Sequence, residues 1–600
     1  MGIAYRNDID GLRALAVLSV IIFHLGFLPN GYLGVDVFFV ISGYLITGIV
    51  YKEVCENKFS ILKFYERRLR RITPLVLFVT IVALTIGYFV MLPDDLENLA
   101  QSVFASNLMV NNILMYITSS DYWAVRNDYL PLMHTWSLGI EEQFYLLYPL
   151  IFTILGGRRK KYILPSIVLI FIVSFYFFLQ SNNAAQKFYL FHFRVFELSF
   201  GGILAILKIN KPHLTIFSLN KKYLLYILFS LLTILLLTNF IVSNDIKVVL
   251  VVLLTTGVLV LGDNYYNSNN LYKKLTTNKI VSLIGKISFS LYMWHQLVFA
   301  FSRYVFVENI TLQNSIFLLS IVFVLSFISY HLIENPFRNR LIIKTKPFLF
   351  ILTSSFILVL VLSLYIYSLG GIVRNVPELG IVKSNHNKEF NFFSASDNIH
   401  IQYNEAIRKL NIPFDEKNRS LKKVLVLGNS FGRDFTNVLL ESTFNNQIQV
   451  RYSTVYDNKT ELRDKIKNAD FVFICSDYKR ISEDLTQLNG IDIDPIKTFV
   501  VGTKDFGNSN GISYNKKDKD FKTYRVEMKK GILQEEINLK NQWRSRYISL
   551  LNLIADKEGK VLVFTPNGKY ISQDTTHFTQ YGASFFAGLL ESQLKNIFEN

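Results

Sequence analysis

Six long apolar blocks constrain this chain more than any other feature of its sequence. Each is long enough to cross the hydrocarbon core of a bilayer as a helix. They cover 73–92, 162–180, 221–241, 246–262, 311–333 and 348–369. Weaker blocks, which polar residues interrupt, cover 11–28, 34–51, 138–155, 190–207 and 283–302. Together they predict about eleven spanning helices, so most of the chain is expected to lie in a lipid bilayer.

Basic residues are concentrated in alternate loops between these blocks. The clusters fall at 67–71, 158–161, 208–222, 273–274 and 338–346, whereas the opposite loops hold only scattered cations. Cytoplasmic loops carry the excess of Lys and Arg, so we expect a cytoplasmic N-terminus. With an odd number of spans, everything after residue 370 lies outside the cytoplasm. This topology accounts for much of the net charge of +17, so nucleic acid is not expected as a partner.

The composition changes after residue 370 to a mixed polar chain with short apolar runs. The runs, typical of buried parallel strands, are 424–428, 471–475, 498–502 and 561–565. Helical patterns separate them at 432–444, 459–468, 533–556 and 580–598. This alternation predicts a small α/β domain with a parallel sheet over 421–600, after a partly ordered linker over 371–420. No metal-ligand cluster is visible in the sequence.

Two titratable side chains stand inside the first apolar block, where such groups are costly and are candidates for function. Arg13 and His24 are eleven residues apart, roughly 16 Å along a helix, so they lie near opposite ends of one span. Alternatively, Arg13 extends to the interface and His24 is an interfacial polar tip. Arg68 and Arg71 precede the third span on the cytoplasmic side, where guanidinium groups suit phosphates. Topological positive charge alone also explains that cluster.

Other polar residues near these spans are candidates for supporting roles. Asp36 begins the next helix, where it would orient His24 or cap that helix. Glu141 and Glu142 open the span after HTWSLGI, where they would serve an acyl path or complement the helix dipole. Trp136 and Tyr145 are more typical of an interfacial aromatic belt than of a site.

The external half contains two motifs that suit nucleophilic catalysis. GNSFGRDF, 428–435, places Ser430 on a turn between a strand and a helix, where backbone N–H groups stabilise an oxyanion. DTTHFTQYGA, 574–583, places Asp574 and His577 three residues apart, so that the carboxylate orients the imidazole. Considered alone, Ser430 is equally typical of a helix cap and Asp574 of an Asx turn. Their combination in one α/β domain favours catalysis.

At these residues the chain resembles two known families. The first half resembles the acyltransferase-3 superfamily through IDGLRALAVLSVIIFHL, GVDVFFVISGYLIT, FYERRLRRITPL, LMHTWSLGIEEQFYLLYP, FRVFELSFGG, ISFSLYMWH and SYHLIENPFR. The GxS and DxxH motifs resemble the SGNH-hydrolase (GDSL-like) fold. The resemblance implies about ten core helices over 1–340, a linking span over 341–370 and an extracytoplasmic SGNH-like α/β domain. The fused layout resembles bacterial O-acetyltransferases of cell-surface polysaccharide, which implies a plasma-membrane location.

The resemblance also assigns roles to residues. Arg13 and His24 match the family's arginine and histidine separated by ten residues, and Arg68 and Arg71 match its RxxR pair. The SGNH triad falls on Ser430, Asp574 and His577. Asn429 replaces the aspartate that commonly precedes the serine, and the usual GxND block is absent. The stretch GTKDFGNSNG, 502–511, offers Gly502 and Asn508 as oxyanion donors, although it equally suits a turn.

The resemblance and the chemistry together predict an enzyme that moves an acyl group, expected to be acetyl, across the membrane. Cytoplasmic acyl-CoA, with acetyl-CoA foremost, is the expected donor, with no bound cofactor and no metal. The expected acceptor is a hydroxyl of a surface glycan such as lipopolysaccharide O-antigen. Three alternatives remain open: peptidoglycan as the acceptor, an external esterase that removes acetyl groups, and a non-enzymatic transporter or scaffold.

Overall fold

The computed structural model describes residues 5–118, 125–210, 221–239, 242–266, 268, 270–305, 311–380, 399–416, 420–477, 480–507, 515, 521–528 and 531–599. These residues form two compact units. The first is helical and runs to Tyr367, and the second begins at Ser368 and also includes Met91–Glu97.

Helices α1 to α17 account for most of the chain up to Ser368. Their bounds are α1 (Asn7–His24), α2 (Gly34–Cys55), α3 (Ile61–Val90), α4 (Pro93–Asn107), α5 (Asn111–Thr118), α6 (Thr135–Leu155), α7 (Ile163–Gln180), α8 (Ala184–Tyr189), α9 (Phe191–Asn210), α10 (Lys221–Leu237), α11 (Asn244–Tyr265), α12 (Leu271–Thr276), α13 (Lys279–Lys286), α14 (Ser288–Val305), α15 (Leu312–Ser329), α16 (Asn335–Arg338) and α17 (Thr345–Ser368).

Seven helical stretches in the described residues are long and apolar enough to cross a membrane. They are Gly31–Cys55, Ile61–Val90, Thr135–Leu155, Gly157–Gln180, Asn244–Tyr265, Leu312–Arg338 and Thr345–Ser368. The other four predicted spans also form helices, namely α1, α9, α10 and α14. Polar side chains are buried along α1, α9 and α14, and α10 has only 17 residues. The count of eleven spans therefore stays a prediction.

Helices α2 and α9 pack at backbone contact, which positions the groups at the centre of the helical unit. A Cβ atom on Gly43 would lie 1.8 Å from the carbonyl oxygen of Leu198, and one on Gly201 would lie 2.2 Å from that of Val40. Only glycine fits at these two positions. Small residues let membrane helices approach closely, and the SFGG sequence in α9 provides them here.

The second unit is built on a five-stranded parallel sheet in the order β2-β1-β3-β4-β6. The strands are β1 (Lys422–Gly428), β2 (Ile448–Ser453), β3 (Phe471–Cys475), β4 (Thr498–Val501), β5 (Arg525–Glu527), β6 (Tyr547–Ile548) and β7 (Lys560–Leu562). The helices are α18 (Ile399–Glu405), α19 (Ser430–Leu440), α20 (Lys459–Asn468), α21 (Ile481–Gln487), α22 (Ile532–Trp543), α23 (Gln580–Leu589) and α24 (Glu591–Glu599).

Both faces of this sheet are covered, as the near-continuous apolar sequence of β1 predicts. Val424 and Val426 pack on one side with Phe435 of α19, whereas Leu425 and Leu427 pack on the other with residues of α20. The prediction of an α/β region with a parallel sheet is therefore confirmed.

Three predicted elements of this region are wrong in detail. The run 561–565 does not join the parallel sheet, because β7 is short and pairs antiparallel with β5. Its place is taken by β6, which lies within the stretch 533–556 predicted as helix, since α22 ends at Trp543. The predicted helix 580–598 is divided into α23 and α24.

Candidate functional site

Three arginines predicted to bind a donor line one cavity of about 140 Å³ in the helical unit. Arg13 comes from α1, and Arg68 and Arg71 come from α3. Within the described part of the chain, none of these three forms an ion pair with a carboxylate. The intervening Arg70 has a different environment, because it is buried and bonds Glu66 and the carbonyl oxygens of Phe337 and Ile343. Unpaired guanidinium groups around a cavity suit an anionic ligand.

The rest of this cavity wall combines apolar side chains with a few hydroxyl and carboxyl groups. Glu141 Oε1 accepts a hydrogen bond of 2.8 Å from Ser42, and Tyr145 also lines the cavity. Tyr145 is therefore a wall residue rather than part of an interfacial belt. Glu142 is buried beside them, and one of its carboxylate oxygens has no hydrogen-bond partner.

A second and larger cavity of about 790 Å³ lies next to the first. Arg13, Leu45 and Ile49 line both cavities, so the two are neighbours. The larger cavity also exposes Arg6 and Lys208, which pair with Asp8 and Asp263. The wide cavity thus continues into a narrow one. This shape fits a ligand with an extended anionic end and a narrow apolar end.

His24 lies at the end of α1 against two other histidines. Its ring centroid is 5.1 Å from that of His295 in α14, which is in turn 5.1 Å from that of His134. All three rings are buried, with His24 keeping 8% of its surface exposed, His134 2% and His295 0%. Arg303 fixes this end of α1 by donating to the carbonyl oxygen of His24 at 3.0 Å.

Tyr292 joins the arginine cavity to the histidines. Its side chain lines the cavity, its hydroxyl lies 2.7 Å from that of Ser137, and it donates to the carbonyl oxygen of His134 at 2.7 Å. The ring of Tyr292 also packs against the rings of His134 and His295. Tyr292 therefore contacts the arginine cavity on one side and His134 and His295, the neighbours of His24, on the other.

Asp36 has a partner that the sequence did not suggest. Its carboxylate lies 2.9 Å from Arg194 of α9, whose guanidinium also reaches Glu197 at 3.0 Å. These three groups are buried, and the guanidinium lies near the rings of Phe39 and Trp136. The expectation that Asp36 orients His24 is therefore replaced by a buried ion cluster between α2 and α9.

The second unit places Ser430 at the first position of α19, directly after β1. A Cβ atom on Gly428 would lie 1.9 Å from the carbonyl oxygen of Cys475, so this turn requires glycine there. Asn429 caps the helix by accepting from the N–H of Phe431. The side-chain amide of Asn429 also lies 3.4 Å from Asp477 Oδ2.

Asp574 and His577 form the carboxylate and imidazole pair that their spacing predicts. His577 Nδ1 lies 2.5 Å from Asp574 Oδ2, and the other carboxylate oxygen accepts from the backbone N–H groups of Thr576 and His577. Ser430, Asp574 and His577 are all partly exposed, as residues that meet a substrate must be. No hydrogen bond joins the Ser430 hydroxyl to His577 among the described side chains, so the contact of these two residues stays a prediction.

Asp434 connects the serine helix to the histidine loop. One of its oxygens accepts from Asn404 at 2.6 Å, and the other lies 3.3 Å from the N–H of Phe578 and 2.7 Å from Lys504 Nζ. Asn404 also donates to the carbonyl oxygen of Ser430 at 2.8 Å. The segment predicted as a linker thus contributes a residue to the site.

Near this site the carboxylate of Glu405 is balanced by the guanidinium groups of Arg408 and Arg433. Burial raises the pKa of Glu405, but the Arg408 hydrogen bond and the Arg433 charge outweigh it, so the pKa is lowered overall. Burial raises the pKa of the Cys475 thiol, which keeps it protonated and excludes it as the nucleophile here.

Of the two residues predicted as oxyanion donors, Gly502 and Asn508, the structure describes only Gly502. The N–H of Gly502 donates to the carbonyl oxygen of Ile548 at 2.8 Å, as part of the β4–β6 pairing. It is therefore already occupied. Asn508 lies outside the described residues.

Several site residues escaped the sequence analysis although a usable signal existed. His295 stands in the apolar block 283–302, so the criterion that selected His24 would also have found it, whereas His134 lies just before the block 138–155. Asp434 and Lys504 carried no comparable signal, because isolated charges in a polar domain are ordinarily solvated. No group of three or more His, Cys, Asp or Glu in the described residues is arranged to hold a metal ion.

Comparisons with known proteins agree with this geometry over the first part of the chain. Residues 6–334 match the Acyl_transf_3 family, described as an acyltransferase domain. The chain is similar to O-acetyltransferase OatA of Staphylococcus aureus strains NCTC 8325 and COL, with 32% identity over 354 residues in both cases. The alignment covers 56% of this chain and 58% of each relative. No solved structure matches the chain significantly.

Proposed function

Because the chain belongs to the acyltransferase-3 family, we propose that it is a membrane O-acyltransferase that acetylates a cell-surface glycan. The observation that carries this proposal is the convergence of Arg13, Arg68 and Arg71 on one cavity, whose wall residue Tyr292 packs against His295, the neighbour of His24. Transfer across a membrane needs a donor site and a reactive group at different depths, and this arrangement supplies both.

The proposed donor is acyl-CoA, with acetyl-CoA foremost. Its clustered phosphates require cations that are not already neutralised, which is what distinguishes these three arginines from Arg6 and Arg70. The larger cavity has room for the adenosine end, the diphosphate would lie against the three arginines that line the narrower cavity, and the apolar wall of that cavity suits the pantetheine and thioester end. Acyl-CoA is a substrate here, and the chain's own residues perform the transfer.

His24 is proposed to act at the transfer step. A neutral imidazole either attacks the thioester carbonyl carbon, displacing the CoA thiolate, or removes the proton of an attacking hydroxyl group. In both cases the C–S bond breaks and its electron pair leaves on sulfur. The residual exposure of His24, compared with the two buried histidines beside it, supports its role as the reacting member.

The external domain is proposed to be SGNH-like and to complete the transfer. Ser430 Oγ would attack the acyl carbon and form an ester as the group that carried the acyl leaves with its bonding electron pair, His577 would take the serine proton, and Asp574 would orient the imidazole. The glycan hydroxyl then displaces the serine oxygen from the acyl carbon. The supporting observations are the parallel sheet, the position of Ser430 after β1 and the Asp574–His577 hydrogen bond.

The acceptor and topology belong to the same proposal. Loop charges favour a cytoplasmic N-terminus and an external second unit in a bacterial plasma membrane. Lipopolysaccharide O-antigen or another surface polysaccharide is the proposed acceptor, with peptidoglycan as the alternative. The acetyl content of each purified glycan fraction, with and without the gene, distinguishes these acceptors directly.

Substitution of His24 tests the proposed activity. In cells, His24→Ala should abolish glycan acetylation without reducing the amount of protein in the membrane, because a helix tolerates alanine well. His192→Ala is the matched control, since that exposed histidine of α9 only packs against Phe177 and Phe193. Acetylation near the wild-type level in the His24 variant would remove this residue from the mechanism.

A further inference from the structure

His295 has an imidazole nitrogen whose protonation is fixed by its surroundings. Its Nδ1 lies 2.6 Å from the carbonyl oxygen of Tyr292, within the same helix. A carbonyl oxygen only accepts hydrogen bonds, so Nδ1 carries the proton and Nε2 presents a lone pair. Among the residues that the structure describes, that Nε2 atom has no hydrogen-bond partner, although the side chain is fully buried. A buried acceptor without a donor is costly and calls for a functional explanation.

The His295 ring lies beside the rings of both other histidines, at 5.1 Å between centroids in each case. Two imidazoles joined by a straight N–H···N bond have ring centroids about 5 Å apart, given a donor–acceptor distance of about 2.9 Å. The observed separation of 5.1 Å between His24 and His295 matches this arrangement, although the rings are tilted by 48°. Formation of the bond therefore requires the His24 ring to turn relative to its present tilt.

We propose that His295 is a positioning residue that accepts a hydrogen bond from the ring N–H of His24 during acyl transfer. This inference rests on the proposed function of His24. The bond fixes the tautomer of His24, so that its other nitrogen presents a lone pair to the acyl carbon or the attacking hydroxyl. It also stabilises the positive charge that develops on His24, as a carboxylate does in a serine–histidine–aspartate triad.

The surroundings of the pair favour this uncharged partner. The charged group that contacts this end of α1 is Arg303, which bonds the carbonyl oxygen of His24, and Tyr292 and His134 flank His295. A carboxylate next to His24 would pair with its imidazolium in the resting state. A neutral histidine leaves His24 uncharged until the reaction begins.

The experiment uses the full chain in lipid nanodiscs, with release of CoA from acetyl-CoA as the measured rate. His295→Gln should lower kcat by at least about 100-fold and leave KM for acetyl-CoA within about twofold, because the arginine cavity is unchanged. His192→Gln is the matched control and should behave as wild type. His295→Ala should lose activity similarly and regain at least about tenfold with added imidazole, which His295→Gln should not.

Several outcomes would overturn the proposal. Activity of His295→Gln within about threefold of wild type would exclude it, as would a raised KM with an unchanged kcat. Absence of imidazole rescue in a folded His295→Ala protein would indicate a purely structural role. If His134→Gln shows the kcat loss instead, His134 is the partner of His24 and the assignment to His295 is wrong.

Two further results keep the inference separate from the proposed function. If His24→Ala is inactive and His295→Gln is active, only this inference fails, whereas activity in both variants removes the proposed role of His24 as well. Should the His295 variants fail to fold, ¹⁵N-histidine NMR of the wild-type chain decides. It should show one buried histidine protonated at Nδ1 with an unprotonated Nε2, and the opposite tautomer would contradict the proposal.

Discussion

At the scale of single residues, ion pairing divides the arginines of the cluster 67–71 into those that pair with a carboxylate and those that line the cavity. The basic cluster 67–71 contains four arginines that look equivalent in the sequence. In the structure Arg67 pairs with Glu53, Arg70 pairs with Glu66, and Arg68 and Arg71 turn to the cavity. Loop charge alone does not produce this division, so the cavity-lining pair is the part of the cluster suited to phosphate.

Replacement of the cavity arginines tests this division. Arg68→Ala combined with Arg71→Ala should raise KM for acetyl-CoA by about 10-fold or more, since each charge-assisted hydrogen bond contributes about 1.5–3 kcal/mol. Lysine at both positions should restore only part of the affinity, because it lacks the planar fork. Arg67→Ala, in the same cluster, is the control and should leave KM unchanged. Complete rescue by lysine would mean that charge alone matters.

The buried pair of Asp434 and Lys504 is a second residue-scale test. Asp434→Asn leaves the Lys504 ammonium buried without its partner, which should cost about 3 kcal/mol of stability in the second unit. The double variant with Lys504→Met should recover much of that loss. Hydrogen exchange of β1, α19 and the 574–578 loop in the full chain measures both effects. Additive losses in the double variant would mean that the two residues do not interact.

At the scale of elements, glycine sequence decides how closely α2 and α9 approach. The buried cluster of Asp36, Arg194 and Glu197 depends on this crossing, because Asp36 belongs to α2 and the other two to α9. The sequence predicted both spans but not their contact, since hydropathy shows which helices enter the membrane and not which ones touch. The polar side chains that make α9 a weak span by hydropathy are the ones buried at this contact.

A matched pair of glycines in α2 tests the element-scale argument. Gly43→Ala places a Cβ atom 1.8 Å from a backbone oxygen of α9, whereas at Gly48 the nearest atom is 3.7 Å away. Gly43→Ala should destabilise the helical unit by about 1–3 kcal/mol, and Gly48→Ala should not. The thermal unfolding of each detergent-solubilised variant, monitored by size-exclusion chromatography, measures this difference in stability. Equal stability of the two variants would contradict the observed crossing.

At the scale of the whole molecule, the amino-acid sequence predicted the order of the helices and strands better than the contacts between them. Apolar blocks located the helices, and short apolar runs located β1, β3 and β4, because these strands are buried on both faces. It missed β2, whose IQVRYS sequence alternates polar and apolar residues, and β6, which has only two residues. Likewise, Ser430, Asp574 and His577 were recognisable in sequence motifs. The positions of Asn404, Asp434 and Lys504 beside them depend on tertiary contacts, which the sequence does not show.

The two-part mechanism makes the acyl group pass through Ser430, and Ser430→Ala measures this most directly. The account predicts that cells with this variant lose glycan acetylation while the purified chain still binds acetyl-CoA through its intact helical unit. Ser482→Ala, at an exposed serine of α21, is the control and should acetylate normally. Normal glycan acetylation in Ser430→Ala cells would contradict the account, because the helical unit would then deliver the acyl group to the glycan without the serine.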